Sequence, residues 1–110
     1  MIAKEELRTE LEFKSVGYDG VPASTNHAIY ERDNFMVQSA DIVYANLMNT
    51  KIVSIGTVME LAVASHLRKH TIVAMEKGNI HFHAFVIESA DIIYESHEDA
   101  IEYLNKLVVL

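Results

Sequence analysis

Between Ala3 and Phe13 the run AKEELRTELEF sets Leu7, Leu11 and Ala3 on one side among charged residues, the pattern of a surface helix. Residues 14–26 then gather Gly17, Asp19-Gly20, Pro22 and Ser24-Thr25-Asn26, which predicts a long loop of the kind that often covers sites. A helix should begin near His27 or Ala28, carry Ile29, Met36 and Ala40 inward with Phe35 beside them, and end before Asp41. The next run, Ile42-Val43-Tyr44-Ala45-Asn46-Leu47, is short, β-branched at its start and nearly all apolar, like a buried parallel strand. After a polar loop from Met48 to Lys51, Val58, Leu61, Ala62, Ala64 and Leu67 recur at close to helical spacing between Thr57 and Arg68. Thr71 to Met75 reads as a second strand and Ile92 to Tyr94 as a shorter third. His97 to Val108 reads as a closing helix introduced by Ser96.

Strands alternating with helices imply right-handed βαβ units on a parallel sheet, hence an α/β Rossmann-like or flavodoxin-like three-layer domain. At 110 residues the chain is expected to be one domain, 1–110, around one core. Ligands in such sheets bind beyond the carboxyl ends of the strands. Ser89 to Tyr94 (SADIIY) echoes Ser39 to Tyr44 (SADIVY), but the flanks differ, so the echo marks two similar approaches to a strand and not a repeat architecture.

Composition narrows the chemistry. Half of the residues are apolar and 23% are charged, as in a globular domain. The net charge is −7 and no basic cluster is longer than Leu67-Arg68-Lys69-His70, which argues against a nucleic-acid polymer as partner. A small anion at a helix N-terminus stays compatible with that charge. The chain has no cysteine, so disulfides, thiolate metal sites and thiol nucleophiles are excluded. No apolar run reaches membrane-spanning length, and Met1-Ile2-Ala3-Lys4-Glu5-Glu6 is too acidic for a signal peptide, so a cytoplasmic location and no membrane partner are expected.

The stretch richest in chemistry is Asp41 to Leu47 followed by Ser54-Ile55-Gly56-Thr57-Val58-Met59-Glu60. It sets a glycine and small hydroxyl residues at a helix start just after a strand's carboxyl end, where free N–H groups favour an anion. Glu60, one turn into the helix, can face the same crevice. A carboxylate there can attack an anomeric carbon or steady an oxocarbenium-like transition state. On spacing alone the commoner meaning is a helix cap at Ser54 or Thr57, with Thr57 and Glu60 matching the Ser/Thr-x-x-Glu box.

The run from Glu31 to Ala64, ERDNFMVQSADIVYANLMNTKIVSIGTVMELAVA, resembles the nucleoside 2-deoxyribosyltransferase-like superfamily: an acidic helix, an Ala-Asp-hydrophobic strand, then Gly-Thr-x-x-Glu opening a helix. Ile72-Val73, Met75 to His81 and Asp99-Ala100-Ile101 resemble its later strands and last helix, with the Gly56-Thr57-x-x-Glu60 block the most specific part. The resemblance implies cleavage of an N-glycosidic bond of a deoxynucleoside or its 5′-monophosphate, by hydrolysis or deoxyribosyl transfer, with no cofactor and no metal. By position, Glu60 falls on the family's nucleophilic glutamate and Asp33 on an acidic residue that assists departure of the base. Asp41 takes a structural or ribose-side role, while Asn46, Ser54, Gly56 and Thr57 border the substrate. The transferases tend to carry an aspartate six residues before the nucleophile, where this chain has Ser54. A serine hydroxyl can bind a phosphate that an aspartate would repel, as in the branch that hydrolyses deoxynucleoside 5′-monophosphates.

Family members also complete the site from a neighbouring subunit, so a homo-oligomer is implied, with Asn79 to His83 as the contributing segment. The family's first strand, of the Tyr-Leu-Ala-Gly-Pro type, has no match before Asp41, which leaves the strand at Ile42 on the sheet border. That edge is expected to be paired or covered by residues 14–26 or by another chain. A non-catalytic nucleotide-binding module, or a purely structural protein on the same fold, are the alternatives.

Histidines raise a metal site as a rival, since His66 and His70 are four apart and His81 and His83 alternate as on a strand. Spacing without convergence makes surface or helix-end histidines the expectation. Tyr44 reads as a core edge, whereas Tyr18 and Tyr30 near the loop are candidates for stacking on a base.

Overall fold

The computed structural model describes residues 22–109. The helix expected over 3–13, most of the loop expected over 14–26, and Tyr18 lie outside the described residues. The described residues divide into two units, 22–36 and 37–109. Helix α1 (Asn26–Ser39) begins in the first unit and ends in the second.

A short 3-10 turn at Pro22–Ser24 leads to α1, and Thr25 caps that helix: its hydroxyl accepts the Ala28 N–H at 3.1 Å and its carbonyl the Ile29 N–H at 3.0 Å. The inward face differs from the expected one, because Val37 is the buried residue of α1 while Phe35 and Met36 are 68% and 61% exposed. Successive helical residues are about 100° apart, so turning Val37 inward swings Phe35 to the far side and moves Met36 to the flank.

The second unit is a three-stranded parallel sheet in the order β1-β2-β3, with β1 at Ile42–Asn46, β2 at His70–Ala74 and β3 at Ile92–Tyr94. Register sets Tyr44 and Ile92 beside Ile72, and Asn46 and Tyr94 beside Ala74. Among the described residues β1 pairs only with β2. Side chains of a strand alternate between faces, and the core divides accordingly. Val43, Ala45, Val73 and Ile93 join Leu47 and Met75 on one face beneath α2 (Ile55–His66) and α3 (Ala84–Ser89), where Leu61 and Val86 are buried. Ile42, Tyr44, Ile72, Ala74 and Tyr94 face α4 (His97–Val109), which contributes Ala100, Tyr103 and Leu104. Helices on both faces of a parallel sheet make the three-layer α/β architecture compatible with a Rossmann or flavodoxin-like fold. The central strand is the most buried, with Ile72, Val73 and Ala74 all at 0% exposure; full burial of a Val or Ile side chain stabilises by about 1.5–3 kcal/mol each.

Helix α2 stops at His66, Leu67 caps it, and Arg68 takes a left-handed φ of 60°, so His66 and His70 do not share a helical face. The closing helix starts where expected, with the Ser96 hydroxyl accepting the Asp99 N–H at 3.2 Å. The apolar run Ala84-Phe-Val-Ile forms the short helix α3, which carried no expectation. Among the described residues no helix is long and apolar enough to cross a membrane.

Candidate functional site

Two loops meet at the carboxyl ends of the strands: residues 47–54 lead from β1 to α2, and residues 75–83 lead from β2 to α3. Their meeting is fixed by polar side chains. His81, 2% exposed, accepts the Ser54 N–H on Nε2 at 2.8 Å, so the ring proton of the neutral imidazole sits on Nδ1. That nitrogen lies 3.0 Å from Asn79 Oδ1 and 3.1 Å from Thr50 Oγ1, both able to accept. Thr50 in turn donates to the Leu47 carbonyl at 2.9 Å, and the Asn79 amide donates to the same carbonyl at 2.7 Å and to Glu76. Glu76 also accepts the Asn49 N–H on both oxygens, at 3.1 and 3.0 Å, where Asn49 turns the chain with φ 57°. These bonds, first that of Asn79 and then the backbone N–H groups of Glu76 and Asn49, hold the Glu76 carboxyl below its ordinary value. Among the described residues no buried side-chain donor or acceptor is left without a partner.

The network holds the start of α2. Ser54 occupies the cap position, but its hydroxyl donates to the Thr57 hydroxyl at 2.8 Å and makes no bond to a backbone N–H. The first helical bond runs from Val58 N to the Ser54 carbonyl at 3.1 Å, so the N–H groups of Ile55, Gly56 and Thr57 have no carbonyl within the helix to meet. Thr57 therefore stands inside the first turn, and the Thr57/Glu60 capping box is not formed. Glu60 is half-buried and reaches back along the helix: a Cβ added at Gly56 would lie 4.0 Å from Glu60 Oε1. Ser54, Gly56, Thr57 and Glu60 thus share the first two turns of α2.

Asn46 ends β1 with its side chain on the α4 face of the sheet, opposite the face that α2 covers. Its Oδ1 accepts the Met48 N–H at 3.1 Å, which orients the amide, and its Nδ2 lies 3.3 Å from Nδ1 of His97 at the start of α4. The same nitrogen lies 2.7 Å from the Tyr44 hydroxyl, whose ring stacks on the imidazole. An amide nitrogen only donates, so His97 Nδ1 accepts and Tyr44 donates its proton to it. Burial first, and Glu98 second, push the Tyr44 phenol up, which keeps it protonated for that bond.

His83 is exposed and caps α3, its Nδ1 accepting the Phe85 N–H at 3.1 Å. Asp41 is exposed at the amino end of β1, about five strand residues or roughly 16 Å from the Asn46 end. Asp33 lies in the first unit on α1, where Arg32 Nε is 3.5 Å from its Oδ1, and Tyr30 is exposed on the same helix. His81 and His83 lie in a loop and not on a strand. Among the described residues no three His, Asp or Glu side chains gather as a metal site would require.

Sequence reasoning missed the partners that fix the loops: Thr50, Glu76, Asn79, His81 and His97. The Gly78-Asn79 pair before His81, a turn former beside a side chain able to bond its own backbone, was the available signal. Asn79 Oδ1 does accept the His81 N–H at 2.9 Å. No protein-family model matches the chain, and no curated protein matches it.

Proposed function

We propose that the protein cleaves the N-glycosidic bond of a deoxynucleoside 5′-monophosphate or deoxynucleoside, without a cofactor, at the start of α2. Glu60 attacks C1′ of the sugar as the C1′–N bond breaks, and the departing base takes a proton from water. Water then hydrolyses the glycosyl ester, or a second base accepts the sugar. The observation that carries this reading is the start of α2, where the N–H groups of Ile55, Gly56 and Thr57 have no carbonyl within the helix to meet and the Glu60 carboxylate is folded back along the same turn. N–H groups at a helix N-terminus suit a phosphate, and the Thr57 hydroxyl, which accepts the Ser54 proton, adds a neutral donor.

An assembly of identical chains in the cytoplasm belongs to the same proposal. Ile52, Ile55 and Met59 along one loop and α2, and Phe82 and Phe85 along the neighbouring loop and α3, are all more than half exposed. Large apolar side chains gathered beside a site favour burial by a partner, here a second copy whose own residues 79–83 complete the crevice.

Calorimetric titration with a panel of deoxynucleotides, followed by chromatography for released base, tests the reading. Binding with release supports it. Binding without release supports a nucleotide-binding module instead. Absence of both overturns it.

A further inference from the structure

The opposite ends of the strands hold a second cluster of reactive side chains. His70 opens β2, Asp91 immediately precedes β3, and Tyr103 lies on α4. His70 Nδ1 is 3.0 Å from Asp91 Oδ2, and His70 Nε2 is 2.5 Å from the Tyr103 hydroxyl. Asp91 also accepts the Thr71 N–H on Oδ2 at 2.9 Å. That bond first, with His70 adding to it, keeps the carboxyl below its ordinary value, so it is a carboxylate near neutral pH. A carboxylate can only accept, which puts the imidazole proton on Nδ1 and leaves Nε2 to accept the phenolic proton. Hydroxyl, base and orienting carboxylate are then in the sequence by which enzymes activate oxygen nucleophiles. Tyr103 also forms part of the wall of an open pocket of about 180 Å³, with Tyr94, Asp99, Glu102 and Lys106.

We propose that Asp91, His70 and Tyr103 form a nucleophilic triad whose phenol is acylated by small uncharged esters entering this pocket. The inference is independent of the glycosidic reading. In the step, His70 Nε2 takes the phenolic proton as the Tyr103 oxygen bonds the acyl carbon. The tetrahedral adduct then collapses, the ester C–O bond breaks, and the alcohol leaves with the proton from His70. Atoms and charge balance without a further reactant. Lys106, whose Nζ lies 3.6 Å from Glu102 Oε1, brings a cation to the pocket wall, and the carboxylates of Asp99 and Glu102 disfavour anionic esters.

The same bonds could merely tie α4 to the sheet, and labelling separates the two roles. The whole chain is treated briefly with p-nitrophenyl acetate, digested, and acetyl-tyrosine quantified at each site by mass spectrometry. Tyr30 is 58% exposed and Tyr103 is half-buried, so accessibility alone makes Tyr30 the faster. The triad reverses that order, with Tyr103 at least about tenfold ahead, a modest share of what a general base supplies. In His70→Gln the advantage of Tyr103 disappears. Tyr103 labelled no faster than Tyr30 in the unmodified chain overturns the proposal without recourse to any variant, as does an advantage that survives in a folded His70→Gln protein.

Discussion

Nε2 of His81 lies 2.8 Å from the backbone nitrogen of Ser54, so a buried side chain of one loop holds the residue that caps the helix after the other. Truncation at His81 removes this acceptor, leaves the Ser54 N–H without its partner and opens a void in the buried network, while Asn79 and Thr50 keep their bonds to the Leu47 carbonyl. His81→Ala should therefore cost about 2–4 kcal/mol in urea unfolding. His81→Gln can still offer an oxygen to Ser54 and should cost less. A His81→Ala protein as stable as the parent would mean that the loops are fixed by something else.

Replacing Glu60 by Gln keeps its size and hydrogen bonding but removes the carboxylate charge. Release of base should fall by at least about a hundredfold, with the melting temperature little changed. Release at the parental rate, measured by chromatography, would remove Glu60 from the mechanism.

A 5′-monophosphate should bind more tightly than its nucleoside, because three N–H groups and two hydroxyls surround the start of α2 with no carboxylate at position 54. Ser54→Asp should cut the phosphate preference by roughly tenfold or more, through like-charge repulsion. Calorimetry on the matched pair of ligands checks it; equal affinities in the parent would exclude a phosphate cradle.

Acid should weaken the fold in a defined window. Glu76 and Asp91 are both held below their ordinary values in the folded chain. Their contribution is present above the unfolded-state value and is lost as pH falls through the folded one. The urea midpoint should hold from pH 7 to about pH 5 and then decline. Glu76→Gln and Asp91→Asn should each make that decline shallower, and parallel curves for parent and variants would refute the assignment.

Light scattering at micromolar concentration should return a mass above that of one chain. Phe85→Glu, at a position 77% exposed, should lower it to the monomer value while the circular dichroism spectrum stays the same. A parent that is already monomeric would sink the shared-site proposal and leave the apolar side chains around α2 and α3 unexplained.

The strands were legible because their runs are short, apolar and β-branched: Ile42-Val43, Ile72-Val73 and Ile92-Ile93 each stand in the sheet within a residue or so of their expected place. The SADIVY and SADIIY segments also do comparable work, each ending a helix and entering a strand beside β2. Helix α3 escaped notice because Ala84-Phe-Val-Ile-Glu-Ser89 is only six residues long and too rich in β-branched and aromatic residues to show helical spacing. The inward face of α1 was misjudged because Phe35 and Met36 outweigh Val37 in size, and size does not determine which way a mostly polar helix turns. Within the candidate site, Ser54, Gly56, Thr57 and Glu60 were readable from one short motif. Their bracing was not, since His81 is 27 residues away from Ser54 and becomes its partner only through the parallel pairing of β1 and β2.

Strand β2 is hydrogen-bonded on both sides, and both reactive regions are anchored at its two ends: the His81 loop leaves from Met75, and His70 begins it. Its central amides can meet solvent only when a neighbouring strand peels away, whereas β1 is open along one border among the described residues. Local opening is therefore graded across the sheet, with the middle strand the last to exchange its amide protons. A chain built this way can loosen at β1 or at a loop and still keep the spacing between its two ends, because that spacing is the length of the strand that yields last.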